Sequence, residues 1–104
     1  MTFAALTAAL AVIAALHVPH WRYVSSTCYA QAGTTASGAQ TFVGEVAMNS
    51  VPLHTHIELS RPVFGHRRFV VLDRIGSGSE LDIYDPSERA CIDYGRRRIG
   101  YVVR

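Results

Sequence analysis

Apolar and polar positions change their rhythm along this chain. Phe3 to Leu16 is an uncharged, almost wholly apolar block, and the first charged side chain is Arg22. Short segments with strand signatures follow. Tyr23 to Tyr29 is the first and Val43 to Met48 the second. Thr55 to Leu59 alternates as Thr-His-Ile-Glu-Leu, the period of two that buries one face of a strand. Arg68 to Leu72 carries the apolar run Phe69-Val70-Val71, Leu81 to Tyr84 reads Leu-Asp-Ile-Tyr, and Ile99 to Val103 comes last. About six short strands with turns between them predict a mainly β domain, a small barrel or sandwich. Residues 31–41 are small and polar and read as a loop.

One helix interrupts this pattern. Asp85-Pro86-Ser87-Glu88 sets an aspartate at the N-cap, a proline at the first helical position and a glutamate at the third. Ala90, Cys91 and Tyr94 supply an apolar face, and Gly95 is a natural stop. Arg96-Arg97-Arg98 follow where cations meet the negative helix end, or else form a solvated surface. The expected helix runs from Pro86 to Tyr94, too short to persist without packing on the sheet.

The apolar block at the front is too short for a membrane-spanning helix, which needs ~20 residues. It fits the ~7–15-residue core of a secretory signal. Residues 1–21 are therefore expected to be a signal peptide or N-terminal membrane anchor, with residues 1–18 as the tether. Residues 22–104 are expected to be the folded domain. No Lys or Arg precedes the block, and no clean cleavage site follows it. The alternative is a buried N-terminal helix, but polarity changes abruptly at Pro19-His20. The corresponding location is the periplasm, the cell envelope or the extracellular space.

Composition narrows the picture further. The 104 residues make one domain at most, and 49% hydrophobic with 17% charged residues is globular rather than disordered. A net charge of +2 is too small a bias to argue for nucleic acid. Cys28 and Cys91 are compatible with one disulfide in an oxidising compartment, or with two small buried residues. The sequence alone leans to the second. Two cysteines cannot fill a four-ligand zinc site without histidine.

The candidate chemistry lies in the acids. Asp73 ends an apolar strand, a Gly/Ser-rich loop follows, and Asp82 sits inside the next strand. There Leu81 and Ile83 face one way, Asp82 and Tyr84 the other. A carboxylate amid an apolar strand must be solvated, paired or perturbed. If the two strands are neighbours, Asp73 and Asp82 couple, and one of them holds a proton for general acid work. The simpler reading has Asp82 capping a turn or pairing with Arg74.

The order of several motifs resembles the 3D (Asp-Asp-Asp) domain family over residues 27–103. Thr27-Cys28-Tyr29 resembles its Thr-Ala-Tyr opening, and Thr35-Ala36-Ser37-Gly38 matches its Thr-Ala-Ser-Gly turn. Gly44-Glu45-Val46-Ala47 and Val51-Pro52-Leu53-His54-Thr55 resemble Gly-x-Val-Ala and Ile-Pro-Leu-Gly-Thr. Asp73-Arg74-Ile75-Gly76, Leu81-Asp82-Ile83-Tyr84 and Tyr94-Gly95-Arg96-Arg97 resemble the Asp-x-Gly loop, the Ile-Asp-Ile-Tyr strand and the Phe-Gly-Arg-Arg helix end. The ordered set is specific where each motif alone is weak.

This resemblance implies a six-stranded double-psi β-barrel with one short helix, shared with membrane-bound lytic transglycosylases, rare lipoprotein A and expansins. It implies peptidoglycan glycan strands as partner, no nucleic acid, no cofactor, no metal, and a monomer. It assigns the acid/base role to Asp82 and a supporting role to Asp73. Asn49, Tyr84, Thr35 and Ser37 become candidates for substrate contact, with barrel packing as the simpler reading of Tyr84. Two positions depart from the family. Asn49 stands where the first aspartate belongs, and His54 stands where the family has glycine, at a backbone position suited to no side chain.

A single carboxyl group suffices for the implied chemistry. A hydrolase needs two carboxylates across the scissile bond. Lytic cleavage of the MurNAc–GlcNAc β-1,4 bond needs one acid that protonates the glycosidic oxygen. The same group then takes the proton of the sugar's own 6-hydroxyl as it closes a 1,6-anhydro ring. The alternative is a peptidoglycan-binding or expansin-like module without catalysis. His54 and His56, two apart, permit a metal site only if a third ligand exists elsewhere.

Overall fold

The computed structural model describes residues 20–104; the expected signal or anchor falls largely outside them. Six strands close into a barrel: β1 (Arg22–Tyr29), β2 (Glu45–Ala47), β3 (His56–Val63), β4 (His66–Asp73), β5 (Leu81–Tyr84) and β6 (Arg97–Val103). The order around the barrel is β1-β5-β2-β4-β3-β6. Two pairs are parallel, β1 with β5 and β2 with β4, and the antiparallel β2–β5 contact joins them. Strands β3 and β6 complete the ring with antiparallel partners on both sides. The mainly β class and the six strands expected from the pattern are both present.

Alternation decides what fills the barrel. Val46, Met48, Ile57, Leu59, Phe69, Val71, Leu81, Ile83, Ile99 and Tyr101 point inward into one apolar cluster. Each fully buried aliphatic side chain contributes roughly 1.5–3 kcal/mol of transfer free energy. The residues between them face outward, so Glu45 and Ala47 on β2 share a face with Asp82 and Tyr84 on β5. Strand β2 is only Glu45–Ala47, shorter than the expected Val43–Met48, because Gly44 turns into it at φ 113°.

The single helix, α1, spans Glu88–Tyr94 rather than starting at Pro86. Its N-cap is Ser87, not Asp85. The Ser87 hydroxyl accepts the Ala90 N–H at 3.1 Å, while Asp85 Oδ2 accepts the Ser87 N–H at 3.0 Å. Two capping side chains compete here, and the aspartate closes the turn before the helix instead. The last turn ends as the pattern requires: the Gly95 N–H reaches Cys91 O, and Arg97 donates to the carbonyls of Tyr94 and Asp93.

Helix α1 is held to β1 at two points. Ser26 Oγ donates to Arg97 O at 2.7 Å and meets the Tyr94 hydroxyl at 2.6 Å, both inside the fold. Cys28 and Cys91 form a disulfide across 63 residues of sequence. This corrects the expectation of two unlinked small residues: pairing Cys28 with Ile83 of β5 leaves its side chain beside the helix that packs there. No helix among the described residues is long and apolar enough to cross a membrane.

Candidate functional site

The site is built on the outer face of β1, β5, β2 and β4. Ala47 pairs with Asp73 on one side and Asp82 on the other. Asp82 in turn pairs with Thr27. The row therefore reads Asp73, Ala47, Asp82, Thr27 across four strands. The condition that the two aspartates sit on neighbouring strands is not met; β2 lies between β4 and β5. At ~4.8 Å per strand their backbones are about 10 Å apart, separated by a methyl group.

A break in register brings Asp73 to this face. Val46 pairs with Val71, but Ala47 pairs with Asp73, so Leu72 is an extra residue on β4. Without this bulge, strict alternation would send Asp73 to the same side as Val71, into the core. Asp73 Oδ1 then accepts the N–H groups of Ala36 and Arg74, each at 2.9 Å. The Ser37 N–H reaches the Leu72 carbonyl at 3.0 Å, tying the 31–41 loop to the bulge.

Asp82 is half-buried, and Oδ1 accepts the Thr27 hydroxyl at 2.9 Å. Burial pushes its carboxyl above the ordinary aspartate range, and the neighbouring Asp73 charge adds to that; the Thr27 hydrogen bond works in the opposite direction. Arg74 does not pair with it. The Arg74 guanidinium donates instead to the Met48 and Val51 carbonyls, at 2.7 and 2.6 Å.

A third carboxyl group joins these two, and the sequence reading passed over it. Glu45 is fully buried. Tyr29 donates its hydroxyl to Glu45 Oε1, while Oε2 has no partner among the described residues. Burial raises the Glu45 pKa, the charges of Asp73 and Asp82 raise it further, and the Tyr29 hydrogen bond partly opposes them. The Tyr29 hydroxyl is itself pushed far up, by its own burial and by Glu45. A glutamate in a Gly-Glu-Val-Ala strand beside an apolar alternation was the available signal. Its contact with Tyr29, sixteen residues away, was not visible.

The other expected contacts fall into place differently. Asn49 engages the Ile75 backbone at both ends of its amide, at 2.8 and 2.9 Å. Thr35 is buried, and its hydroxyl bonds Ser37 Oγ and Ala39 O within the turn. Tyr84 is buried and packs edge-on against Tyr29, with ring centroids 5.3 Å apart. His54 lies in the turn before β3, at φ 73°, the left-handed conformation suited to glycine. Among the described residues no three His, Cys, Asp or Glu side chains come together closely enough to hold a metal ion.

A cleft of about 270 Å³ opens beside the acidic row, between Tyr29, Gln31, Thr34, Thr41 and Asp73. A larger hollow, about 540 Å³, lies over the disulfide, but its only acid is Glu88. Of the three acids, Asp73 is the one that lines the smaller opening. No protein-family model, curated protein or solved structure matches this chain.

Proposed function

We propose that the chain is an exported peptidoglycan-cleaving domain, a lytic transglycosylase with Asp82 as acid and then base. The observation that carries this reading is Asp82 itself: a carboxyl group mid-strand, half-buried, raised in pKa and without a cation partner among the described residues. A group that keeps its proton above the ordinary carboxylate range can deliver it to a glycosidic oxygen. The resulting carboxylate then accepts the 6-hydroxyl proton as that oxygen attacks the anomeric carbon. One sugar leaves with a free hydroxyl, the other as the 1,6-anhydro form, and no water is consumed. Asp73 supports Asp82 through its like charge. The Cys28–Cys91 disulfide supports export, because such bonds persist in oxidising compartments.

The test is product chemistry. The full chain is incubated with peptidoglycan sacculi, and the soluble fragments are identified by mass spectrometry. Anhydro-sugar ends are expected from the parent and not from Asp82→Asn, which keeps the shape but has no transferable proton. Cleavage at the parent rate by Asp82→Asn removes the assignment. Co-sedimentation with sacculi and no anhydro products would favour the non-catalytic, wall-binding reading.

A further inference from the structure

We propose that Glu45 is the third acidic group of this site, a positioning residue that acts on Asp82 from the next strand and holds Tyr29 at the cleft. The proposal deepens the reading of Asp82 as the working acid and rests on it.

The register makes the case. Ala47 pairs with Asp82, and Val46 with Ile83; continuing that ladder sets Glu45 opposite Tyr84. Tyr84 pairs with Tyr29 on β1. A second row, Glu45, Tyr84, Tyr29, thus runs beside the row Asp73, Ala47, Asp82, Thr27. The Tyr29 ring crosses Tyr84 edge-on and delivers its hydroxyl to Glu45. Tyr29 also lines the cleft with Asp73. One side chain therefore touches both the opening and the buried acid.

Among the described residues, the titratable groups that face Glu45 are acids and phenols. Tyr29 comes from β1, Asp82 and Tyr84 from β5, and Asp73 from β4. Residues 30–44, which lead into β2, contain no titratable side chain. The ion pairs among the described residues use Glu58 and Asp93, and none reaches Glu45, Asp73 or Asp82. A buried carboxylate with one empty oxygen and no cation is costly to retain for packing alone, since a Gln or Met would fill the space without a charge. The charges of Asp73 and Asp82 on the same face oppose ionisation of Glu45.

The coupling free energy between Glu45 and Asp82 is the same read from either acid. Side-chain carboxyl carbons are followed by NMR against pH in the full chain. In Glu45→Gln, Asp82 is expected to titrate lower, because the amide on the next strand carries no like charge. In Asp82→Asn, Glu45 is expected to titrate lower as well, because one of the like charges that raise it is gone. Tyr29→Phe is expected to move Glu45 upward, because the hydroxyl favours the charged carboxylate. Where cleavage is measured, the alkaline limb of the Glu45→Gln rate profile shifts to lower pH with Asp82, as an acid that loses its proton earlier stops working earlier.

A merely structural glutamate would leave the Asp82 titration where it is. An unmoved Asp82 in Glu45→Gln, or an unmoved Glu45 in Asp82→Asn, overturns the proposal. Should Glu45→Gln not fold, Asp82→Asn reads the same coupling with Glu45 intact. Reciprocal shifts in a parent that releases no anhydro sugar uphold the three-acid cluster and remove the lytic reading. Anhydro products without the shifts do the reverse.

Discussion

His54 carries a backbone cost that its side chain does nothing visible to repay. At φ 73° an L-residue gives up roughly 1–2 kcal/mol relative to a right-handed conformation. Its N–H meets the Val71 carbonyl at 2.6 Å, so the strand β4 ladder holds the turn in place. Glycine removes the steric cost but adds about 0.5–1 kcal/mol of unfolded-state entropy. His54→Gly is therefore expected to stabilise by about 0.5 kcal/mol, read as a higher urea midpoint at an unchanged slope. A lower midpoint would show that the imidazole makes a contact worth keeping. The resemblance in the sequence pointed to this position, because a histidine stands where the resembled motif carries glycine. Asp82 was legible too, as the one charge in an otherwise apolar strand. Glu45 was not, although its strand motif was recognised. Burial of a glutamate depends on what covers it, and Tyr29 reaches it only through the barrel's closure.

At the scale of elements, the helix start separates local chemistry from pattern. Asp-Pro-Ser-Glu offers two caps, and both are used in succession. Ser87→Ala is expected to cost about 1 kcal/mol, the usual loss for a helix cap, and Asp85→Ala clearly less. Chemical denaturation of the two variants side by side checks the order; a larger loss for Asp85→Ala would return the cap to Asp85. The strands were read well because alternation is a local property. Leu81–Tyr84 appears with the expected bounds, and the others differ by a few residues at their ends. The bulge at Leu72 was beyond such reading. One extra residue in β4 has no signature in composition, and it is visible only against the β2 partner. Yet it decides whether Asp73 joins the site at all.

For the whole molecule, the disulfide sets the largest single term open to experiment. It closes 63 residues of chain, from β1 to α1, and so restrains the unfolded ensemble over most of the barrel. Cys91→Ser is expected to destabilise by about 2–4 kcal/mol, read from unfolding of oxidised parent and variant in the same buffer. Equal stability would mean that Ser26, Tyr94 and Arg97 hold the helix unaided. The number and spacing of strands left a barrel and a sandwich both open, so neither closure of the sheet nor the order around the ring followed from them. Neither parallel pair is consecutive in sequence, and only non-local contacts distinguish that arrangement from a meander.

The pairing of β1 with β6 has a consequence for reach and orientation. Arg22 lies opposite Tyr101, so the first strand begins where the last one ends. Anything fused to either side of the described chain would leave from the same pole of the barrel. Thr27, which marks the acidic row, is five residues further along β1, about 16 Å away at strand rise. A barrel moored by that pole would carry its acids at arm's length from the mooring.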